Sequence, residues 1–257
     1  RSCKWKNCNR SQKMTNLSVN VNKIAWLRNA RGDNRPDILE LSKILIDCGV
    51  DGLTVHPRPD LRHITPDDVY KLSSLCKKEE VEFNIEGNPF SEKTTIYPGF
   101  IALVKDIGPD QCTLVPDSPE QLTSDHGWDL TNKDLGPIKN IVEDIQTSKT
   151  RVSFFVDPIP KHIESIRKVG ADRIELYTGP YALNPTPEVI ADYKSAYNYA
   201  NDLGLGINAG HDLDLNNLKP FLENIPADEV SIGHALISDA LIYGLEIATK
   251  KYLDLCK

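Results

Sequence analysis

The chain has 257 residues, 40% of them hydrophobic and 26% charged, with a net charge of −7. That length suits one large domain. The acidic balance leaves no basic surplus for nucleic-acid binding, and no apolar run approaches the ~20 residues that span a bilayer. Six scattered cysteines with no CxxC pair argue against a disulfide framework and for reduced thiols in a cytoplasmic protein. Residues 1–13 are basic, polar and aperiodic, and the only methionine, Met14, stands directly before the first strand-like run. They read as a non-native or disordered leader, and residues 14–257 as the folded domain.

From residue 17 onward, strands and helices alternate with short punctuation. Residues 17–21 read as strand one, and 36–48 as a helix with Ile38, Leu41, Ile44 and Leu45 on one face. The short run 53–55 is strand two. It breaks at Pro57 and Pro59, and Thr65-Pro66-Asp67-Asp68 then opens a helix over 66–78, with threonine as cap and acids at the positive end. Strand three is 81–85, followed by a helix around 92–106, and strand four is 111–115. The polar stretch 116–132 is long enough to be a functional lid. A helix over 135–147, strand five at 151–156 and a helix over 160–168 follow. Strand six is 173–177 with a long helix over 187–203. Strand seven is 205–208 with a short helix over 215–222. Strand eight is 229–232, and 235–255 is the closing helix.

Eight strand–helix units, with strands that read as apolar on both faces, fit a closed (β/α)₈ barrel of the α/β class. Gly49, Gly170 and Gly204 stand at helix-to-strand joints, where a C-cap is wanted. An open doubly wound sheet is the alternative, but no GxGxxG follows strand one.

In such a barrel the C-terminal strand ends face the substrate. Strand one ends in Asn20, Asn22 and Lys23, with Arg28 and Arg31 in the loop beyond; strand two in His56, Arg58 and His63; strand three in Glu86. Strand four opens into the lid with Thr123. Glu175 sits within strand six, where an unpaired charge is costly. Strand seven ends in Asn208, Gly210 and His211, and strand eight in Gly233 and His234. Gly233-His234-Ala235-Leu236 brings backbone amides to the positive end of a helix, a ready anion site. Together with Arg31 and Arg58 it suggests more than one phosphate, and the histidines can move protons near neutral pH.

Several motifs occur in order along the chain: Val19-Asn20-Val21-Asn22-Lys23, Leu27-Arg28-Asn29-Ala30-Arg31-Gly32, Thr54-Val55-His56-Pro57-Arg58, Arg62-His63-Ile64-Thr65, Phe83-Asn84-Ile85-Glu86, Leu114-Val115-Pro116, Tyr177-Thr178-Gly179, Asn208-Ala209-Gly210-His211 and Ile232-Gly233-His234-Ala235. The sequence thereby resembles the pyridoxine 5′-phosphate synthase family from about residue 17 to its end. The resemblance implies a (β/α)₈ barrel with added helices, assembled as a homo-octamer, using no metal or organic cofactor. It implies condensation of two small phosphorylated ketones, 1-deoxy-D-xylulose 5-phosphate and 3-amino-2-oxopropyl phosphate, to pyridoxine 5′-phosphate, phosphate and water. Carried over by position, His56 and Glu86 match proton acceptors and His211 a proton donor. Asn20, Arg31, Asp212, Gly233 and His234 match contacts to the aminoketone phosphate. Asn22, Lys23, Arg58, His63 and Thr123 match contacts to the deoxyxylulose phosphate.

The sequence departs from that pattern where Asn22-Lys23 replaces Asp-His and Asp212 replaces glycine. Two other readings compete. A barrel aldolase or epimerase acting on one sugar phosphate would need a Schiff-base lysine, and Lys23 is the sole candidate at a strand end. A non-catalytic phosphate-binding barrel would be indifferent to loss of Glu86 or His211.

Overall fold

The computed structural model describes residues 14–257, so the leader expectation falls on residues 1–13, outside the described residues. Its strands obey a period of two. In β1 (Asn16–Asn20), Leu17 and Val19 are fully buried, while Ser18 and Asn20 carry polar side chains. The same alternation runs through β2 (Gly52–Val55), β3 (Glu82–Gly87), β4 (Gln111–Leu114), β5 (Arg151–Val156), β6 (Arg173–Tyr177), β7 (Gly206–Gly210) and β8 (Glu229–Ile232). All eight pair in parallel and in sequence order, and β1 closes on β8 with Val19 opposite Ile232.

The apolar set, which includes Leu53, Phe83, Leu114, Phe154, Ile174, Ile207 and Val230, is buried and faces the surrounding helices. The other set fills the barrel with hydrogen bonds. Ser18 Oγ meets Thr54 Oγ1 at 2.8 Å, Thr113 Oγ1 donates to Asn84 Oδ1 at 3.2 Å, and Asn208 Nδ2 donates to Glu229 Oε1 at 3.3 Å. Gln111 on β4 reaches the same Glu229 oxygen at 3.5 Å. This corrects the expectation of strands apolar on both faces. These interior residues are polar, and most are tolerated because they satisfy one another, although Ser153 Oγ and Glu175 Oε2 have no hydrogen-bond partner among the described residues.

The helices follow local chemistry. α3 (Pro66–Glu79) starts on a capping box, in which Thr65 Oγ1 accepts from Asp68 N at 3.2 Å and Asp68 Oδ2 accepts from Thr65 N at 2.9 Å. α5 (Gly136–Gln146), α6 (Pro160–Lys168) and α8 (Pro187–Asp202) lie close to their expected spans, whereas α9 (Leu218–Asn224) starts later than its sequence suggests.

Other elements differ from the sequence reading. Asn22–Asn29 is a helix, α1, where a loop was expected. Arg28 is therefore not a loop charge but a buried partner of Asp68, donating to Oδ1 and Oδ2 at 2.6 and 2.8 Å. The helix after β3 begins only at Phe100 (α4, Phe100–Ile107), because Gly99 at φ 91 follows Pro98 and breaks any earlier turn. The short α7 (Gly179–Leu183) follows β6. The closing helix is broken by Gly244, at φ 82 and ψ 151, into α10 (His234–Tyr243) and α11 (Leu245–Leu255). With α2 (Ile38–Asp47), eleven helices surround eight strands among the described residues. No described helix is long and apolar enough to cross a membrane.

Candidate active site

At the C-terminal ends of the strands lies a cavity of about 510 Å³. Each strand end delivers side chains to it. Asn20 closes β1, and Asn22 and Lys23 form the first turn of α1. His56, Arg58 and His63 follow β2, Glu86 is the penultimate residue of β3, and Glu175 lies within β6. His211 and Asp212 follow β7, Gly233 joins β8 to α10, and His234 is the first residue of α10. Thr123 reaches in from the long loop. Of the expected site residues Arg28, Asn208, Gly210 and Arg31 are absent from the lining. Arg28 pairs with Asp68, and Asn208 and Gly210 lie within β7. Arg31 stands exposed on the turn after α1, where its backbone N–H donates to Arg28 O at 3.1 Å. Trp26, Thr113, Phe155, Ser124 and Ser231 also line the cavity, although the sequence reading did not single them out.

His56 is the hub. Its backbone N–H donates to Asn22 Oδ1 at 2.9 Å, its Nδ1 lies 3.9 Å from Glu86 Oε2, and its Nε2 lies 3.9 Å from Asp117 Oδ2. Asn20 Nδ2 donates to the same Glu86 oxygen at 3.3 Å. Burial and then the Arg58 charge hold the His56 imidazole well below its usual range, so the ring is neutral and free to accept a proton. His63 is held down to about 3 by burial, Arg58 and Lys23. Its Nδ1 accepts from Ile64 N at 2.9 Å, which leaves the Nε2 proton available as a donor.

The carboxyls shift the other way. Burial, Asp117 and Glu229 push Glu86 up to about 8. Glu175 is raised by burial and by Glu86, and one of its oxygens, Oε2, is buried with no partner among the described residues. A carboxyl poised near neutrality can both take and give a proton. Gly210 makes room for this arrangement, since a Cβ there would come within 2.2 Å of Glu175 Oε1.

On the opposite wall, His211 Nε2 lies 3.0 Å from Thr123 Oγ1 and its Nδ1 lies 2.8 Å from Asp212 Oδ2. Its ring packs edge-on to Tyr177 at 5.2 Å. His211 and Asp212 sit at φ 85 and φ 58, in the left-handed region that glycine occupies without penalty. Thr178 Oγ1 pins the turn by donating to the carbonyls of Gly210, at 2.6 Å, and His211. Lys23 Nζ rests 4.5 Å over the Trp26 ring, and burial and Arg58 lower its pKa.

Cationic groups and helix amides make the cavity suited to anions. Arg58 and Lys23 line it, and so do Gly233, His234 and Ala235 at the start of α10, where helix amides are unpaired. Among the described residues, no group of three or more His, Cys, Asp or Glu side chains is arranged to hold a metal ion.

The long loop is docked over this site. Arg62 Nη2 donates to Pro119 O and Nη1 to Gln121 O, both at 2.9 Å, and Arg58 Nη1 donates to Gln121 O at 3.2 Å. Ser124 Oγ donates to Asp117 Oδ2 at 2.8 Å.

Comparison with known proteins adds an independent line. Among solved structures, 3-hexulose-6-phosphate synthase from Salmonella typhimurium matches with a TM-score of 0.63 at 14% identity, covering 94% of this chain and 98% of that one. Thiamine phosphate pyrophosphorylase from Pyrococcus furiosus matches with a TM-score of 0.57 at 11% identity, covering 95% and 96%. At that identity the likeness speaks for the barrel alone. Among curated proteins, pyridoxine 5′-phosphate synthase of Xylella fastidiosa strain 9a5c is 49% identical over 246 residues, covering 94% of each chain. The protein of that name from Cytophaga hutchinsonii is 51% identical over 248 residues, covering 93% of this chain and 98% of its own. The family model described as pyridoxal phosphate biosynthesis protein PdxJ matches residues 17–257, and on that match and those relatives the chain belongs to the PdxJ family.

Proposed function

We propose that the protein is a pyridoxine 5′-phosphate synthase. It condenses 1-deoxy-D-xylulose 5-phosphate with 3-amino-2-oxopropyl phosphate to give pyridoxine 5′-phosphate, phosphate and water. The observation that carries this reading is the convergence of His56, Glu86 and His211, far apart in sequence, on one cavity that also holds Arg58 and Lys23.

The chemistry fits those groups. The substrate amine adds to the partner ketone, and loss of water gives an imine. Ring closure then needs protons removed from carbon and delivered to departing oxygens. His56, held neutral, and Glu86, poised near neutrality, act as acceptors. His211 acts as the donor from the opposite wall, beside Thr123. Arg58, His63, Thr123, Asn22 and Lys23 hold the deoxyxylulose phosphate. Asn20, Gly233 and His234, with the backbone of Asp212, hold the aminoketone phosphate, and Arg31 joins from its exposed turn. Two anion cradles position the reacting carbons, and the docked loop keeps bulk water from the imine. Glu175, with one oxygen unpartnered, faces the reacting atoms. The assembly proposed is a cytoplasmic homo-octamer. Self-association is supported by Leu241 and Ile242 on α10 and Ile247 on α11, which are 78%, 74% and 56% exposed.

One observation favours a second reading. The lowered pKa of Lys23 is what a Schiff-base lysine of an aldolase requires. Borohydride reduction during turnover separates the two. The synthase reading expects the reduced imine on a small molecule, with the protein mass unchanged, and an adduct on Lys23 would favour the aldolase.

A further inference from the structure

Asp117 belongs to none of the groups assigned above. It follows β4 and Pro116 at the root of the long loop, is buried, and lies behind the cavity rather than in its lining. A single oxygen, Oδ2, accepts from Arg58 Nη2 and from Ser124 Oγ at 2.8 Å, and faces His56 Nε2 at 3.9 Å. Its backbone carbonyl is itself held by Asn88 Nδ2 at 2.8 Å. The other oxygen, Oδ1, is buried with no hydrogen-bond partner among the described residues. A carboxylate kept only for stability would be expected to be satisfied on both oxygens. It caps no helix, so that structural role is absent as well.

We propose that Asp117 is a positioning residue: it orients Arg58 and His56 toward the cavity and ties both to the docked loop through Ser124. The inference rests on the synthase reading, because it takes Arg58 as a substrate-phosphate ligand and His56 as a base. Arg58 is fixed at two points, Asp117 at Nη2 and the loop carbonyl of Gln121 at Nη1. Its guanidinium plane is therefore set by where the loop lies. His56 is bracketed between two carboxyl groups, Glu86 at Nδ1 and Asp117 at Nε2. Withdrawal of Ser124 would leave Asp117 with the arginine alone, so loop position and base geometry change together.

The surroundings define the expected titration. Glu86 is faced by His56 and Arg58 after β2, Asp117 after β4, Glu175 on β6, Glu229 on β8 and the Asn20 amide on β1. Asp117 is faced by Arg58 and His56 and, from the loop, by Ser124, Asp125 and His126. After burial, Asp117 is the strongest influence raising Glu86.

Asp117→Asn keeps the shape and removes the charge. The expected result is a kcat reduced about tenfold or more, together with a raised KM for the five-carbon sugar phosphate, whose Arg58 ligand loses its anchor. The acid limb of the pH–rate profile moves down by about one unit, because Glu86 ionises more readily without its neighbour. Asp117→Glu, which keeps the charge, restores the limb. Ser124→Ala lowers kcat without moving the limb. An Asn variant with the wild-type kcat and limb overturns the proposal, and so does a loss of activity with an unmoved limb and a collapsed melting temperature. A second readout needs no turnover: the fall in melting temperature between pH 6.5 and 8 becomes shallower in Asp117→Asn. If the wild-type enzyme forms no pyridoxine product, the synthase reading fails, while this thermal arm still tests the placement of Asp117 beside Glu86.

Discussion

The Thr123 hydroxyl, on the loop that follows β4, stands 3.0 Å from Nε2 of His211, at the end of β7. One hydrogen bond thus joins the lid to the proposed proton donor across the mouth of the barrel. Thr123→Val keeps the side-chain volume and removes the hydroxyl. A net hydrogen bond of about 1 kcal/mol predicts a fall in kcat/KM of about fivefold to tenfold with an unchanged melting temperature, checked by steady-state kinetics and thermal denaturation.

Asp212 occupies φ 58, where a residue with a Cβ costs about 1–2 kcal/mol that glycine avoids. The glycine expected there from the family resemblance matches this backbone. Asp212→Gly is predicted to raise stability by about 1 kcal/mol in urea unfolding. It also removes a negative charge that interacts with His234, so KM for the aminoketone phosphate is predicted to fall.

The buried Arg28–Asp68 pair fastens α1, which carries Asn22 and Lys23, to α3. Arg28→Met is predicted to cost about 3–5 kcal/mol, because it strands a buried carboxylate; denaturant unfolding checks this. Burial alone would raise Asp68, but hydrogen bonds from Arg28 and Thr65 outweigh it and hold the carboxyl below its usual value. Its contribution is therefore complete above the unfolded value of 3.8 and is lost as pH falls through the lower folded value.

The interior carboxyls predict an opposite trend near neutrality. Glu86 and Glu229 are each raised to about 8, from an unfolded value of 4.5, so the folded protein holds protons that the unfolded chain releases. His56 and His63, held below 6.5 in the folded state, matter only under pH 6.5, where the unfolded chain binds the extra protons. Between pH 6.5 and 8 the carboxyls dominate, and stability falls as pH rises, by up to about 1.4 kcal/mol per pH unit for each proton. Melting temperatures across that window, with proton uptake measured by calorimetry, check the sign.

These residues also show what the sequence could reveal. The strand ends were legible because glycine, proline and short apolar runs punctuate each unit, and His56, Glu86, His211 and Gly233 fall at those breaks. Helix α1 was hidden because its start has no side-chain cap, and without that helix Arg28 read as a solvated charge. Asp117 was missed because its meaning lies in a partner 59 positions away. The alternation of Phe83 and Ile85 with Asn84 and Glu86 did carry the signal for a polar interior, but it was read as a continuous apolar strand.

Glu86 carries the heaviest assignment, since it lines the cavity, is near neutral and lies within reach of both Asn20 and His56. Glu86→Gln preserves the hydrogen-bonding outline and removes proton transfer. A loss of kcat of about 10²–10⁴ is predicted, with substrate binding retained by calorimetry.

The most direct measurement incubates the purified protein with 1-deoxy-D-xylulose 5-phosphate and 3-amino-2-oxopropyl phosphate, separately and together, following pyridoxine 5′-phosphate by absorbance and mass and inorganic phosphate by assay. The account predicts equimolar pyridoxine 5′-phosphate and phosphate from the mixture and neither from a single substrate. No product from the mixture, or cleavage of one sugar phosphate alone, would contradict it.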